Sequence, residues 1–128
     1  MRITVQQVES FLRDFRARMA EKGVVFTNST KNSRGIFDLE ITPAMRNKIL
    51  MSLKATDYYR GPSMQSGWVG EAWEFGKAVN NKIAYIKVSM GVKKTAAQPD
   101  QKVVAVARPV ICISFHEAEK EITYPFKK

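Results

Sequence analysis

The chain has 128 residues, 45% hydrophobic and 26% charged, as is usual for one globular domain. Its 21 lysines and arginines outnumber 12 acidic residues and give a net charge of +9, which favours a polyanionic partner such as nucleic acid or an acidic protein. A single cysteine and the lack of any long apolar stretch exclude an internal disulfide, a cysteine-based zinc site and a membrane-spanning helix, so we expect one cytoplasmic domain over residues 1–128.

The first part of the chain is predicted to begin with a helix. Apolar residues recur at three- and four-residue steps over residues 5–22, and Thr4 can cap the start of this helix. A short strand is predicted at residues 24–26, followed by a polar loop at 27–35. Residues 36–41 alternate in character and are predicted to form another short strand.

A second helix is predicted to begin at Thr42 and Pro43, where a capping hydroxyl precedes a proline at the first helical position. Its apolar face continues to about residues 54–56, where we expect the helix to end. A Gly-Pro pair then interrupts the pattern, so residues 57–67 are predicted to form a loop.

A β-hairpin is predicted over residues 72–79 and 82–88, because the Asn-Asn pair between them tolerates the positive φ of a two-residue turn. The register of this hairpin places on one apolar face Trp73, Phe75, Ala84, Ile86 and Val88. The opposite face receives Glu74, Gly76, Tyr85 and Lys87. The pair of Glu74 and Lys87 is either a surface ion pair worth roughly 0.2–1 kcal/mol or part of a polar functional site.

The remaining strands are predicted at residues 102–107 and 110–116, after a basic connection at 91–101. The aromatic tail at residues 124–126 is expected to dock on the body of the domain. Together these elements predict an α+β fold, in which a small antiparallel sheet packs against two or three helices.

The last strand contains a cysteine and a histidine, for which we predict different roles. Cys112 lies in an apolar run and is predicted to be a buried core thiol rather than a nucleophile. His116 ends the strand and is predicted to share a face with Cys112 and Ser114. A histidine at such a position is either a structural surface residue or a group that transfers protons.

Four motifs, taken together and in order, resemble the MqsR family of toxins: DYYRGP at 57–62, WEFGK at 73–77, YIKV at 85–88 and ICISFH at 111–116. The resemblance covers residues 43–126. It implies a RelE-like fold and the toxin of a bacterial type II toxin–antitoxin system, a cofactor-free and metal-independent endoribonuclease that cleaves mRNA. The implied partners are mRNA and an antitoxin protein that is acidic or binds DNA.

The resemblance places four residues at active-site positions: Arg60, Glu74, Tyr85 and His116. Contacts with RNA phosphate are expected from Arg60, Lys77 and Lys87. Three active-site positions depart from the family pattern, because Arg60 and His116 replace lysines and Glu74 replaces a glutamine. Arginine adds bidentate phosphate geometry, histidine adds proton transfer near neutral pH, and the carboxylate requires a neighbouring cation.

The expected mechanism assigns phosphate binding to Arg60 and Lys87 and general acid or base catalysis to His116. Tyr85 either orients the 2′-hydroxyl, stacks a base or transfers the second proton, and Glu74 is an alternative base. The sequence leaves these assignments open. It also leaves open another class of function, a non-catalytic nucleic-acid-binding or protein-interaction module of phage or mobile-element origin, which does not need His116.

Overall fold

The structure is a computed structural model that describes residues 2–27, 29–64, 71–90 and 108–127. In these ranges the chain forms three α-helices packed with a five-stranded sheet, so the predicted α+β fold is confirmed. The basic connection predicted at 91–101 and the strand predicted at 102–107 lie outside the described residues. No helix in the described ranges combines the length and apolar character needed to cross a bilayer.

The elements follow one another along the chain as α1 (Val5–Lys22), β1 (Val24–Phe26), α2 (Thr30–Asp38), α3 (Pro43–Met51), a 3₁₀ turn (Ala55–Asp57), β2 (Tyr58–Met64), β3 (Glu71–Val79), β4 (Lys82–Ser89) and β5 (Val110–Glu117). The strand order across the sheet is β1-β5-β4-β3-β2. The hairpin of β3 and β4 pairs antiparallel, as predicted. Strands β2 and β5 also pair antiparallel with it, whereas the predicted all-antiparallel sheet is wrong at β1, which runs parallel to β5. The sheet is therefore mixed, and β5 lies between its parallel neighbour β1 and its antiparallel neighbour β4.

The core lies between α1 and one face of the sheet. The predicted apolar stripe of α1 is buried at Val8, Phe11, Leu12, Phe15 and Met19. Phe11 stacks on Trp73 with their ring centroids 4.6 Å apart, which confirms that Trp73 packs in the core. Thr4 caps α1 through a reciprocal pair of hydrogen bonds with Gln7.

The hairpin of β3 and β4 has the predicted register. Asn80 and Asn81 form the turn with φ of 49° and 68°, the left-handed region that asparagine tolerates. The predicted pairs are all present: Val79 with Lys82, Gly76 with Tyr85, Phe75 with Ile86 and Glu74 with Lys87. The hairpin therefore carries one apolar face toward α1 and one polar face away from it.

The strand predicted at residues 36–41 is wrong, because helix α2 spans Thr30–Asp38. Ser29 caps this helix by accepting a hydrogen bond from the backbone N–H of Asn32. Gly35 lies directly against β5, where a Cβ atom would overlap the carbonyl oxygen of Phe115. Contacts with a distant strand thus select the helix over the local alternation of residue types.

Helix α2 covers the part of the β5 edge that the short strand β1 leaves unpaired. The side chain of Asn32 is buried there, donates to the carbonyl of Ile113 at 2.8 Å and accepts from the N–H of Phe115 at 3.0 Å. It also donates to the backbone and hydroxyl oxygens of Thr27. These bonds satisfy backbone groups that a neighbouring strand would otherwise pair.

The loop predicted at 57–67 is wrong for its first part, because Tyr58–Met64 form the edge strand β2. Pro62 is compatible with a strand here, since an edge strand need not donate every N–H. Gly61 adopts φ of 108°, and a Cβ atom on it would lie 2.8 Å from the carbonyl oxygen of Ala72. The interrupted pairing of β2 with β3 therefore requires glycine at this position.

Strand β5 contains a register shift at Ile113, because Val88 pairs with Cys112 whereas Lys87 pairs with Ser114. Cys112 therefore points into the core, and burial raises the pKa of its thiol to about 12. The buried core thiol is confirmed. The prediction that His116 shares a face with Cys112 is wrong, because the extra residue inverts the alternation between them.

The aromatic tail docks as expected. Phe126 stacks on Tyr58 with ring centroids 5.3 Å apart. On its way there the tail crosses the polar face of the sheet at Gly76, where a Cβ atom would lie 2.7 Å from the Cδ1 atom of Ile122. The absence of a side chain at Gly76 lets this segment lie close to the sheet and border the polar face.

Candidate functional site

A pocket of about 320 Å³ opens on the polar face of the sheet, away from α1. It is lined by Lys31, Tyr59, Arg60, Tyr85, Lys87, Ser114, His116, Ala118, Glu119, Lys120 and Ile122. Four of the predicted site residues are among them, and Glu74 lies beneath, bound to two of these four. The structure therefore brings the predicted catalytic residues together around one cavity.

Adjacent strands place these side chains in rows across the sheet. Arg60 on β2 pairs with Glu74 on β3, which pairs with Lys87 on β4. In the neighbouring row, Tyr85 on β4 pairs with His116 on β5. Directly paired residues have their Cβ atoms about 4.5–5.5 Å apart, so each row forms a contiguous polar surface.

The carboxylate of Glu74 is the centre of the network. Glu74 is only 4% exposed. Arg60 donates its Nε–H to both carboxylate oxygens at 3.0 Å, and the Tyr85 hydroxyl donates to Oε1. Arg60 thus supplies the neighbouring cation that a buried carboxylate requires. Because both oxygens are occupied, Glu74 can reach a substrate only through its hydrogen-bonded neighbours.

The contact with Glu74 affects the pKa of both Arg60 and Tyr85. Burial, followed by the hydrogen bond to Glu74, raises the pKa of the Tyr85 phenol well above its ordinary value. The hydrogen bond to Glu74 also raises the pKa of Arg60, which keeps the guanidinium charged. Tyr85 is therefore a neutral phenol at physiological pH, and its oxygen can still accept a hydrogen bond while its proton faces Glu74.

His116 presents one ring nitrogen for chemistry. Its Nδ1 atom lies 2.9 Å from the carbonyl oxygen of Glu117. A carbonyl only accepts, so Nδ1 carries a proton, and Nε2 is the atom that gains or loses one. The ring centroid lies 5.4 Å from that of Tyr85. Two groups suited to proton transfer thus stand side by side.

The side chain of Arg60 is held by its neighbours and remains largely exposed. Its Nε is bound to Glu74, its guanidinium lies over the Tyr59 ring at 4.9 Å, and its side chain is 62% exposed. Arg60 lines the pocket, and the fork geometry of a guanidinium suits a phosphate group. Lys87 lines the same pocket.

Seven of the eleven pocket residues were not among the predicted site residues, and three of these seven carry a cation or an aromatic ring: Lys31, Tyr59 and Lys120. Lys31 comes from α2, which was predicted to be a loop and a strand. It forms an ion pair with Glu119, whose pKa is lowered by that contact. Tyr59 lies in the DYYRGP motif, next to Arg60, and could have been predicted from that position. No local pattern distinguishes Lys120 from other surface lysines.

Lys77 does not join this site. Strand alternation places it on the same face as Phe75, and its Nζ atom lies 3.2 Å from a carboxylate oxygen of Asp57. We therefore do not include Lys77 among the proposed phosphate-binding residues. Its position makes it a control for the pocket residues.

Within the described residues, no cluster of three or more histidine, cysteine, aspartate or glutamate side chains is arranged to hold a metal ion. The polar groups at the pocket include an arginine, lysines, a histidine and a phenol–carboxylate pair. These groups can bind an oxyanion and move protons beside it.

Comparisons with family models, with curated proteins and with solved structures give no match to this chain. The resemblance to the MqsR family therefore remains a prediction that rests on the four motifs.

Proposed function

We propose that this chain is a metal-independent endoribonuclease that cleaves mRNA, acting as the toxin of a bacterial toxin–antitoxin system. The observation that carries the proposal is the Arg60–Glu74–Tyr85 network beside His116 in a pocket rich in cations. Four basic side chains line the pocket: Lys31, Arg60, Lys87 and Lys120. An oxyanion such as a phosphodiester is the ligand that this charge favours.

The reaction requires three contributions. The 2′-hydroxyl loses its proton and attacks phosphorus, charge builds on the phosphorane oxygens, and the bond to the 5′-oxygen breaks as that oxygen gains a proton. The products are a 2′,3′-cyclic phosphate and a 5′-hydroxyl. Arg60 and Lys87 stabilise the phosphorane, and positioned acid–base groups contribute about 10²–10⁴-fold.

The hydrogen bonds favour Tyr85 as the group that accepts the proton of the 2′-hydroxyl and His116 as the group that donates a proton to the 5′-oxygen. The Tyr85 oxygen accepts the 2′-hydroxyl proton while its own proton passes to Glu74, so no phenolate forms. This relay agrees with the raised pKa of Tyr85, which opposes the phenolate. Protonated His116 donates from Nε2 to the departing 5′-oxygen, because its Nδ1 is committed to the Glu117 carbonyl. Proton exchange with solvent then restores both groups.

The proposed substrate places the protein in the cytoplasm, where mRNA is translated. The net charge of +9 supports affinity for the RNA backbone that falls as salt rises. The same charge suits capture by an acidic or DNA-binding antitoxin. The alternative function, a non-catalytic binding module, explains the positive charge. It does not explain why the phenol–carboxylate pair lies beside His116.

The test is cleavage of a defined RNA in the presence of EDTA. The wild type is expected to cut, and Tyr85→Phe and His116→Ala are expected to lose about 10²-fold or more in rate. Lys77→Ala, on the opposite face, is the matched control and should retain the wild-type rate. Binding without cleavage by the wild type would favour the alternative function, and full activity of both pocket variants would refute the mechanism.

Growth of cells that express the chain without a partner provides a second readout. The wild type is expected to arrest growth and to shorten mRNA, whereas His116→Ala is expected to do neither. Equal arrest by both proteins would contradict a toxicity that depends on RNA cleavage.

A further inference from the structure

The pocket continues into a second cavity of about 310 Å³ beside α2. Four residues line both cavities: Lys31, His116, Ala118 and Glu119. The second cavity is completed by Thr30, Arg34, Asp38 and Glu117. A polymer whose phosphate lies in the first pocket next to His116 therefore has a direct continuation along α2.

The charges of the two cavities differ. Three carboxylates border the second cavity, from Asp38, Glu117 and Glu119, against the cations of Lys31 and Arg34. A third cation stands beside them, since the Nζ atom of Lys82 lies 3.9 Å from Glu117 Oε1. This balance disfavours a second phosphate. It offers hydrogen-bond donors and acceptors together, which is what the edge of a nucleobase requires.

The helix that lines the second cavity also carries an exposed aromatic side chain. Phe37 is 80% exposed and follows Arg34 by three positions on α2, so the two side chains are neighbours on the helix surface. The buried positions of α2 are Asn32 and Gly35, so the fold does not explain Phe37. An aromatic face beside basic and polar groups is typical of surfaces that stack the bases of single-stranded RNA.

We propose that Arg34, Phe37 and Asp38 form a nucleobase subsite, the α2 subsite, which holds a base of single-stranded RNA next to the scissile phosphate. In this arrangement Phe37 stacks on the base, and Arg34 and Asp38 bind its polar edge. The subsite thereby contributes to the choice of cleavage sequence. The inference rests on the proposed endoribonuclease function, whose scissile phosphate lies in the adjoining pocket.

The first test measures binding to a fully 2′-O-methylated RNA, which lacks the attacking hydroxyl and is not cut. Phe37→Leu is expected to weaken binding by about tenfold, since the stacking of a base on an aromatic ring is lost. Phe37→Trp is expected to retain binding, with its fluorescence quenched by the RNA. Met51→Leu, at an exposed position on α3, is the control and should bind as the wild type does.

The second test sequences the ends produced from a random RNA pool. Arg34→Ala and Asp38→Asn are expected to relax the preference at one nucleotide beside the cut, while Arg13→Ala on α1 leaves the preference unchanged. A uniform loss of rate at all sites would overturn the assignment of these residues to base recognition.

The two tests separate the inference from the proposed function. A wild type that cleaves RNA, together with α2 variants of unchanged affinity and preference, would overturn the α2 subsite alone and leave the proposed function standing. A wild type that binds but does not cut, with binding still dependent on Phe37, would refute the nuclease and retain the base-binding surface.

Discussion

Arg60 and Glu74 face each other across β2 and β3, with the Nε atom of Arg60 3.0 Å from both oxygens of the carboxylate. The same carboxylate accepts the hydroxyl of Tyr85. One buried acid therefore fixes both the proposed phosphate-binding cation and the proposed proton-transferring phenol. Removing its charge should disturb both of them at once.

The variant Glu74→Gln tests this dual role. The amide keeps the shape of the side chain but accepts a proton poorly and turns an N–H group toward one of its two donors. We expect RNA cleavage to fall by about 10²–10⁴-fold while the fold is retained. Burial and the charge of Glu74 together raise the pKa of Tyr85 and of Tyr58, so ultraviolet titration of the variant should show these phenols ionising at lower pH than in the wild type.

The control for this variant is Glu71→Gln, an exposed carboxylate at the start of the same strand. It should leave both the rate and the phenol titration unchanged. An equal loss of activity in the two variants would mean that the charge of the strand matters rather than the contact with Arg60 and Tyr85.

The role of His116 as general acid can be examined with a substrate whose 5′-oxygen is replaced by sulfur. A thiolate leaves without a proton, so the substrate no longer needs an acid. We expect His116→Ala to cleave the sulfur substrate at nearly the wild-type rate while remaining slow on ordinary RNA. Tyr85→Phe should be slow on both. A His116→Ala variant equally slow on both substrates would instead assign the histidine to the base.

Stability is expected to fall at alkaline pH. Burial raises the pKa of the Cys112 thiol from 9.0 to about 12 and also raises the pKa of the Tyr85 phenol, so the unfolded chain releases these protons before the folded chain does. The associated stability is therefore complete below pH 9 and is lost as the pH rises from 9 toward 12. Urea unfolding between pH 7 and 11 measures this slope.

Cys112→Ala should flatten that slope, whatever it does to stability at neutral pH. If the variant and the wild type lose stability in parallel above pH 9, the thiol contributes nothing and other groups, such as the buried phenols, account for the dependence.

Gly35→Ala probes the docking of α2 on β5. A Cβ atom at this position overlaps the carbonyl of Phe115, so one of the two elements has to move, at a cost of about 1–3 kcal/mol. Since Phe115 adjoins His116, we also expect slower RNA cleavage. Ser33→Ala, an exposed change on the same helix, should alter neither property. A stable and fully active Gly35→Ala variant would contradict the close packing.

The elements that sequence reasoning recovered are those whose signals are local. The stripe of α1 and the Asn80-Asn81 turn lie within their own segments, and the turn register alone brought Glu74 beside Lys87 and separated it from Trp73. The polar face of the hairpin was therefore predictable without knowledge of the rest of the fold.

The elements that it missed depend on contacts between distant segments. Helix α2 forms because Asn32 and Gly35 fit against β5, some eighty residues later in the chain. The register shift at Ile113 leaves no mark on the alternation of neighbouring residues, yet it decides which face His116 occupies. Lys31 reaches the pocket only because α2 is a helix, so it could not be assigned before the fold was known.

The most direct test of the account is the chemistry of the RNA ends that the wild type produces in EDTA. Attack by the 2′-hydroxyl, assisted by Tyr85 and His116, predicts a 2′,3′-cyclic phosphate and a 5′-hydroxyl, and no cut at a nucleotide that carries a 2′-deoxy sugar. Ends with a 3′-hydroxyl and a 5′-phosphate, or unhindered cleavage beside the deoxy sugar, would contradict it.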